Sequence, residues 1–174
     1  GGGGTGGGGA ADGGVGIPGT DSFVTAGPSV SGTSIAGQDL NGAGDTVVGY
    51  KSTSGAGSSA YLWNSTGGVN LGGLDGLLYS YAHGVSDDAG VVVGYSSGTI
   101  NSVYTLRAFA WTPDGGMQEL AGLVSGANTQ ASAVSGDGST AVGISNLGSA
   151  ATGFYTPVRW VNGTPEDLLA GSSV

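Results

Sequence analysis

The chain repeats itself, and that repeat limits the folds open to it more than any other feature. Val47-Val48-Gly49-Tyr50 leads to Ala60-Tyr61-Leu62-Trp63 and then Gly67-Gly68-Val69-Asn70-Leu71. The fullest copy lies in residues 82–120. There Val91-Val92-Val93-Gly94-Tyr95 precedes Arg107-Ala108-Phe109-Ala110-Trp111-Thr112 and Gly115-Gly116-Met117-Gln118-Glu119-Leu120. A third copy runs Ala141-Val142-Gly143-Ile144, Pro157-Val158-Arg159-Trp160, Pro165-Glu166-Asp167-Leu168. The glycines 49, 94 and 143 are 45 and 49 residues apart, and the tryptophans 63, 111 and 160 are 48 and 49 apart. Two markers that keep nearly one period point to a repeat architecture.

Each unit reads as four short strands. In the second copy these are residues 81–85, 91–96, 106–112 and 117–121, with turns at 86–90 and 113–116. Asp88-Ala89-Gly90, Asp137-Gly138 and Pro113-Asp114-Gly115-Gly116 supply residues that accept positive φ or preset a reversal. The loop between the second and third strands varies in length, as expected of an exposed edge.

Side-chain alternation predicts how the sheets meet. Tyr61 with Trp63, Phe109 with Trp111, and Val158 with Trp160 share one face at period two, while Ala60, Ala108 and Pro157 lie on the other. Bulky residues in front and small ones behind suit sheets stacked face to face. Val91-Val92-Val93, apolar on both faces, suits a strand between two sheets. The predicted repeat core is Val48, Gly49, Trp63, Val93, Gly94, Phe109, Trp111, Val142, Gly143 and Trp160.

The order of small residue, Asp/Gly turn, Val-Val-Gly-Tyr, Arg-Ala-Phe-x-Trp-Thr and Gly-Gly-Met-x-x-Leu resembles the bacterial extracellular repeats called the HAF family. The resemblance is close in the second copy, partial in the other two, and covers roughly residues 36–171. It implies a secreted or surface-exposed, propeller-like β-repeat protein, and it implies no reaction.

Composition narrows the functions. Three basic residues, Lys51, Arg107 and Arg159, face twelve acidic ones for a net charge of −9. Such a surface cannot neutralise a run of phosphates, which disfavours nucleic acid and anionic membranes. No apolar run approaches 18 residues, so no membrane span is expected. The absence of cysteine removes thiolate chemistry, disulfides and cysteine-bound zinc. Forty glycines without a Gly-X-Y period exclude collagen. A charge-poor chain rich in Gly, Ser and Thr suits an exported bacterial protein. No signal peptide is visible, so an exported form would be a mature or trimmed product.

Most candidate sites have a plain structural reading. Asp87 and Asp88 could ligate calcium, but Asp-Asp-x-Gly is an ordinary turn. Ser135-Gly136-Asp137-Gly138-Ser139-Thr140 only partly matches the Asp-box of sialidase-like propellers. His83 is the only histidine, so one chain holds no His-based metal cluster, and no Gly-x-Ser-x-Gly surrounds a serine. Arg107 is expected to stack on the Phe109 and Trp111 face or pair with a turn aspartate. Asn64-Ser65-Thr66 and Asn162-Gly163-Thr164 match the glycosylation pattern.

The expected organisation is a glycine-rich segment at 1–16, a strand segment at 17–35, and an all-β domain at 36–174 with repeats at about 36–76, 77–125 and 126–174. The glycine run reads as a tether unless partners order it. Phe23-Val24-Thr25-Ala26 could complete the chain's own sheet or join another chain's. Three four-stranded blades cannot easily close a propeller ring, and neither end carries an evident polar cap. The leading expectation is therefore a non-enzymatic subunit of an extracellular fibre or matrix layer that assembles with itself. Phe23, Val24, Leu168 and Leu169 are its assembly candidates. The alternative is a secreted propeller-like domain that binds carbohydrate or protein through its variable loops. No cofactor is expected, calcium being the one candidate.

Overall fold

The computed structural model describes residues 31–147 and 154–170. They form twelve strands in three four-stranded antiparallel sheets, each built from consecutive strands. Sheet one holds β1 (Thr33–Leu40), β2 (Val47–Thr53), β3 (Gly57–Asn64) and β4 (Gly67–Gly72). Sheet two holds β5 (Tyr79–Val85), β6 (Val92–Ile100), β7 (Val103–Thr112) and β8 (Gly116–Leu120). Sheet three holds β9 (Thr129–Val134), β10 (Thr140–Asn146), β11 (Tyr155–Val161) and β12 (Thr164–Asp167). The first sheet begins at Thr33. The glycine run and Phe23 and Val24 lie outside the described residues.

The sheets fan out from their first strands. β5 lies against β1, β2 and β3, and β9 against β5, β6 and β7, whereas β4 and β8 at the rim barely touch. This is the radial arrangement of propeller blades.

The marker glycines shape the inner edge of each blade. Opposite each of them the first strand bulges, at Gln38, His83 and Ser132, and brings a carbonyl close. A Cβ built on Gly49, Gly94 or Gly143 would fall 1.9, 2.0 or 1.9 Å from the carbonyl oxygen of Ala36, Tyr81 or Gln130. Only glycine permits that approach.

The core lies in two joints between blades. In the first, Val48, Ala60, Leu62 and Leu71 of sheet one pack on Ala82, Val85, Val92 and Phe109 of sheet two, with Trp111 and Met117 at the border. In the second, Val93, Ala108 and Leu120 meet Ala131, Ala141, Val158 and Trp160. Each joint sets a bulky face on a neighbour's flatter one, and Val92 and Val93 enter different joints. Trp160 is fully buried and donates its indole N–H to the Ala121 carbonyl at 2.7 Å.

Polar contacts tie the same positions together. The freed amides of Ala60 and Ala108 donate to Ser80 Oγ and Thr129 Oγ1, both at 2.8 Å. Leu74 N–H donates to Ser96 Oγ at 3.1 Å, and Leu123 N–H to Ser145 Oγ at 3.2 Å. The acceptor hydroxyls form one cross-strand pair in each of blades two and three, Ser80 with Ser96 and Thr129 with Ser145.

Two local expectations are corrected. The second blade's middle strands are longer than residues 91–96 and 106–112, because β6 and β7 continue to a two-residue turn in which Asn101 and Ser102 have φ of 49° and 64°. That is a tight type I′ hairpin made without glycine. Arg107 does not pair with a turn aspartate. It meets Glu119 of the adjacent β8 at 3.3 Å and donates to the Ala127 carbonyl at 2.9 Å.

Candidate functional site

Because every blade runs up, down, up and down, its connections separate onto two ends of the stack. The turns β1–β2, β3–β4, β5–β6, β7–β8, β9–β10 and β11–β12 share one end. These turns hold Asp45, Asp87, Asp88, Asp114 and Asp137 and no lysine or arginine.

These aspartates serve the turns. Asp88 accepts from Ser86 Oγ and Gly90 N–H, and those bonds hold its pKa below the ordinary carboxylate value. In the repeat-equivalent turn, Asp137 accepts from the Ser135 hydroxyl and from Ser139 N–H and hydroxyl, which lower its pKa to about 2. Asp87 donates its backbone N–H to the Gly136 carbonyl and accepts from Asn41 Nδ2 on its own carbonyl, so it ties three inner turns together. Among the described residues no group of three or more His, Asp or Glu side chains could hold a metal ion. Asn64 and Asn162, the two glycosylation-pattern residues, border turns at this end, and Asn162 with Gly163 forms a turn with φ of 48° and 79°.

The opposite end carries the variable β2–β3 and β6–β7 hairpins and the links between blades. Its chemistry is different. Leu78 (66% exposed), Tyr104 (59% exposed), Ile100, Val103 and Val124 all project there. At blade one a cleft of about 600 Å³ has Leu78 and Tyr79 on one side and hydroxyls of Ser34, Ser52, Ser54 and Ser58 among its other lining groups. That volume lies in the range of ligand-binding clefts.

Midway along β2, β5 and β6 lies a ladder of aromatic rings. Tyr50 meets Tyr81 edge-on at 5.0 Å, Tyr81 stacks on Tyr95 at 5.1 Å, and His83 meets Tyr95 edge-on at 5.2 Å. Burial raises the Tyr95 pKa, helped by the neighbouring Tyr81, Tyr104 and Tyr50. Burial lowers the pKa of His83, which keeps the ring neutral near pH 7. Half-buried aromatic rings of this kind can bind side chains or sugar rings through their C–H faces. No group within the ladder is arranged as a nucleophile with its base.

The predicted core residues divide by joint. Val48, Val93, Phe109 and Trp160 are buried, and Trp111 is half-buried at a joint border. Trp63 is half-buried on the outward face of blade one, stacked with Tyr61 at 5.4 Å, and Val142 is exposed on the outward face of blade three. Leu168 and Leu169 are exposed where β12 ends. The sequence offered one signal of the aromatic ladder, the Val-Val-Gly-Tyr repeat that contains Tyr50 and Tyr95, and none of the apolar loop end.

No family model and no curated protein matches this chain. A solved structure described as a putative TolB from Agrobacterium tumefaciens is similar in fold, with a TM-score of 0.51 and 21% sequence identity. The match covers 74% of this chain and 43% of that one, so this chain spans less than half of its length. The likeness supports a propeller-like β-repeat fold and adds nothing to the narrower HAF resemblance.

Proposed function

We propose that this chain is an exported, non-catalytic, propeller-like domain that binds protein through its variable-loop end. One observation carries the reading: exposed apolar side chains and the cleft gather at that end, while the opposite turns carry only acidic charge. Concentrated apolar surface on a charge-poor protein marks an interaction site. The absence of cysteine and of a second histidine weighs against enzymatic chemistry. Export fits the scarcity of charge and the wealth of Gly, Ser and Thr.

The test is to select peptides from a displayed library on the immobilised chain and map the winner's footprint by NMR shift changes. Shifts confined to residues 73–79, 98–106 and 121–128 are expected. A footprint on the aspartate turns, or no enrichment at all, would contradict the proposal.

A second reading, a self-assembling subunit of an extracellular fibre or matrix layer, is favoured by a separate observation. Ile35, Val142 and Leu168, on the two end blades, are exposed at 47%, 40% and 47%. Val142 and Leu168 stand at the repeat positions of Val48 and Leu71, which the first joint buries.

A further inference from the structure

We infer that the outward face of blade three docks on the outward face of blade one of a second copy, and that Ile35, Pro157, Arg159 and Lys51 are its specific contacts. The inference rests on the self-assembly reading and adds the residues that make the joint. Its source is a comparison of the two joints within the chain with the two faces left over.

In both internal joints a freed backbone N–H on the flat face, from Ala60 or Ala108, meets a hydroxyl on the next blade's first strand, from Ser80 or Thr129. The strand register identifies the equivalent positions in the end blades. Ala60 and Ala108 pair across the sheet with Tyr50 and Tyr95, and their counterpart, paired with Ile144, is Pro157. The Ser80–Ser96 and Thr129–Ser145 pairs correspond to Ile35–Lys51. At these positions the leftover flat face therefore has no N–H to give, and the leftover bulky face has no hydroxyl to receive one.

These two replacements match each other. Either one alone would bury an unpaired polar group in a joint, whereas replacing both partners by apolar groups is nearly neutral. Ile35 against Pro157 is such a replacement.

The remaining changes also correspond. The position of Leu62 and Ala110, which in the internal joints faces the next blade's aromatic side, is Arg159 in blade three. The face it would meet carries Tyr61 stacked on Trp63. A guanidinium over such rings gains a cation–π contact. Lys51 lies 5.6 Å above the Tyr61 ring and makes no ion pair among the described residues. Glu166, bonded to Arg159 Nε at 3.0 Å, brings an acceptor for it on the opposing face.

Sedimentation velocity of the 174-residue chain over a concentration series tests the joint, with Ile35→Ser, Pro157→Ala, the double variant and Arg159→Ala. The native chain should associate. Each single change at 35 or 157 should weaken association about tenfold or more, and the double variant should recover to within about threefold of native. Arg159→Ala should also weaken it, while Val103→Ser/Tyr104→Ser at the loop end should leave it unchanged. A native chain that stays single at every concentration overturns both the joint and the self-assembly reading. Association that the substitutions at 35 and 157 leave unchanged, or weaken additively, overturns this joint and leaves self-assembly standing.

Discussion

Gly94→Ala is the sharpest probe of the blade geometry. The added methyl would lie 2.0 Å from the Tyr81 carbonyl oxygen, 2.9 Å from Phe109 Cζ and 3.0 Å from Ala82 Cα. Two of these neighbours are backbone atoms held in the β5–β6 ladder, so they cannot turn aside as a flexible side chain would. β5 must move by more than about 1 Å to restore an ordinary contact, since the inner atoms of a packed protein leave no spare room. That movement sacrifices about two ladder hydrogen bonds at roughly 1 kcal/mol each. Overpacking against Phe109 adds about 1–3 kcal/mol. The expected loss is about 3–5 kcal/mol, or a melting temperature lower by roughly 10 °C or more. Gly73→Ala is the control, because its methyl would find ordinary contacts at 3.6 and 3.7 Å and its φ is not positive. It should be neutral or stabilising by up to about 1 kcal/mol through the unfolded chain. Thermal and urea unfolding followed by circular dichroism compares the two. A Gly94→Ala variant within about 1 kcal/mol of native would refute the account of the bulge.

Three further outcomes follow from particular environments. Trp160→Ala should cost about 3–5 kcal/mol, because Trp160 is 1% exposed and its indole is hydrogen-bonded. In dilute solution Trp63→Ala should cost about half as much or less, and equal losses in urea titrations would contradict the division into joint and outward face. The Asp137 carboxyl should titrate near 2 by carbon NMR and move towards 3.8 in Ser135→Ala. Its folded value is depressed, so its stabilisation is complete above 3.8 and is lost as pH falls through about 2; a normal titration in the native chain would contradict the turn geometry. Ser102→Gly should stabilise by about 0.5–1 kcal/mol in thermal melts, because Ser102 holds a φ of 64° that glycine adopts freely.

The blades were legible in the sequence because two markers kept one period and each marked a physical necessity. Gly49, Gly94 and Gly143 accommodate the bulged first strand, and the tryptophan strand supplies each bulky face. Alternation also gave the facing rule, since Phe109 and Ala108 enter opposite joints. What local pattern could not supply was pairing across the sheet. Arg107 finds Glu119 because β8 returns beside β7, whereas the sequence places turn aspartates just as near. The β6–β7 hairpin was hidden because Asn101 and Ser102 adopt left-handed φ without a glycine to announce it. The apolar end was obscured for a related reason. Leu78, Tyr104 and Val124 lie far apart along the chain, and only the shared strand direction brings them to one end of the stack.

The central claim is that consecutive blades are locked face to face through one repeated contact, the freed amide on the flat face meeting a hydroxyl of the next blade's first strand. Amide hydrogen exchange of native and Ser80→Ala chains, resolved by NMR, measures it directly. The account expects slow exchange at both Ala60 and Ala108 in the native chain, and in Ser80→Ala much faster exchange at Ala60 alone. Fast exchange at Ala60 in the native chain, or an unchanged rate after the substitution, would contradict it.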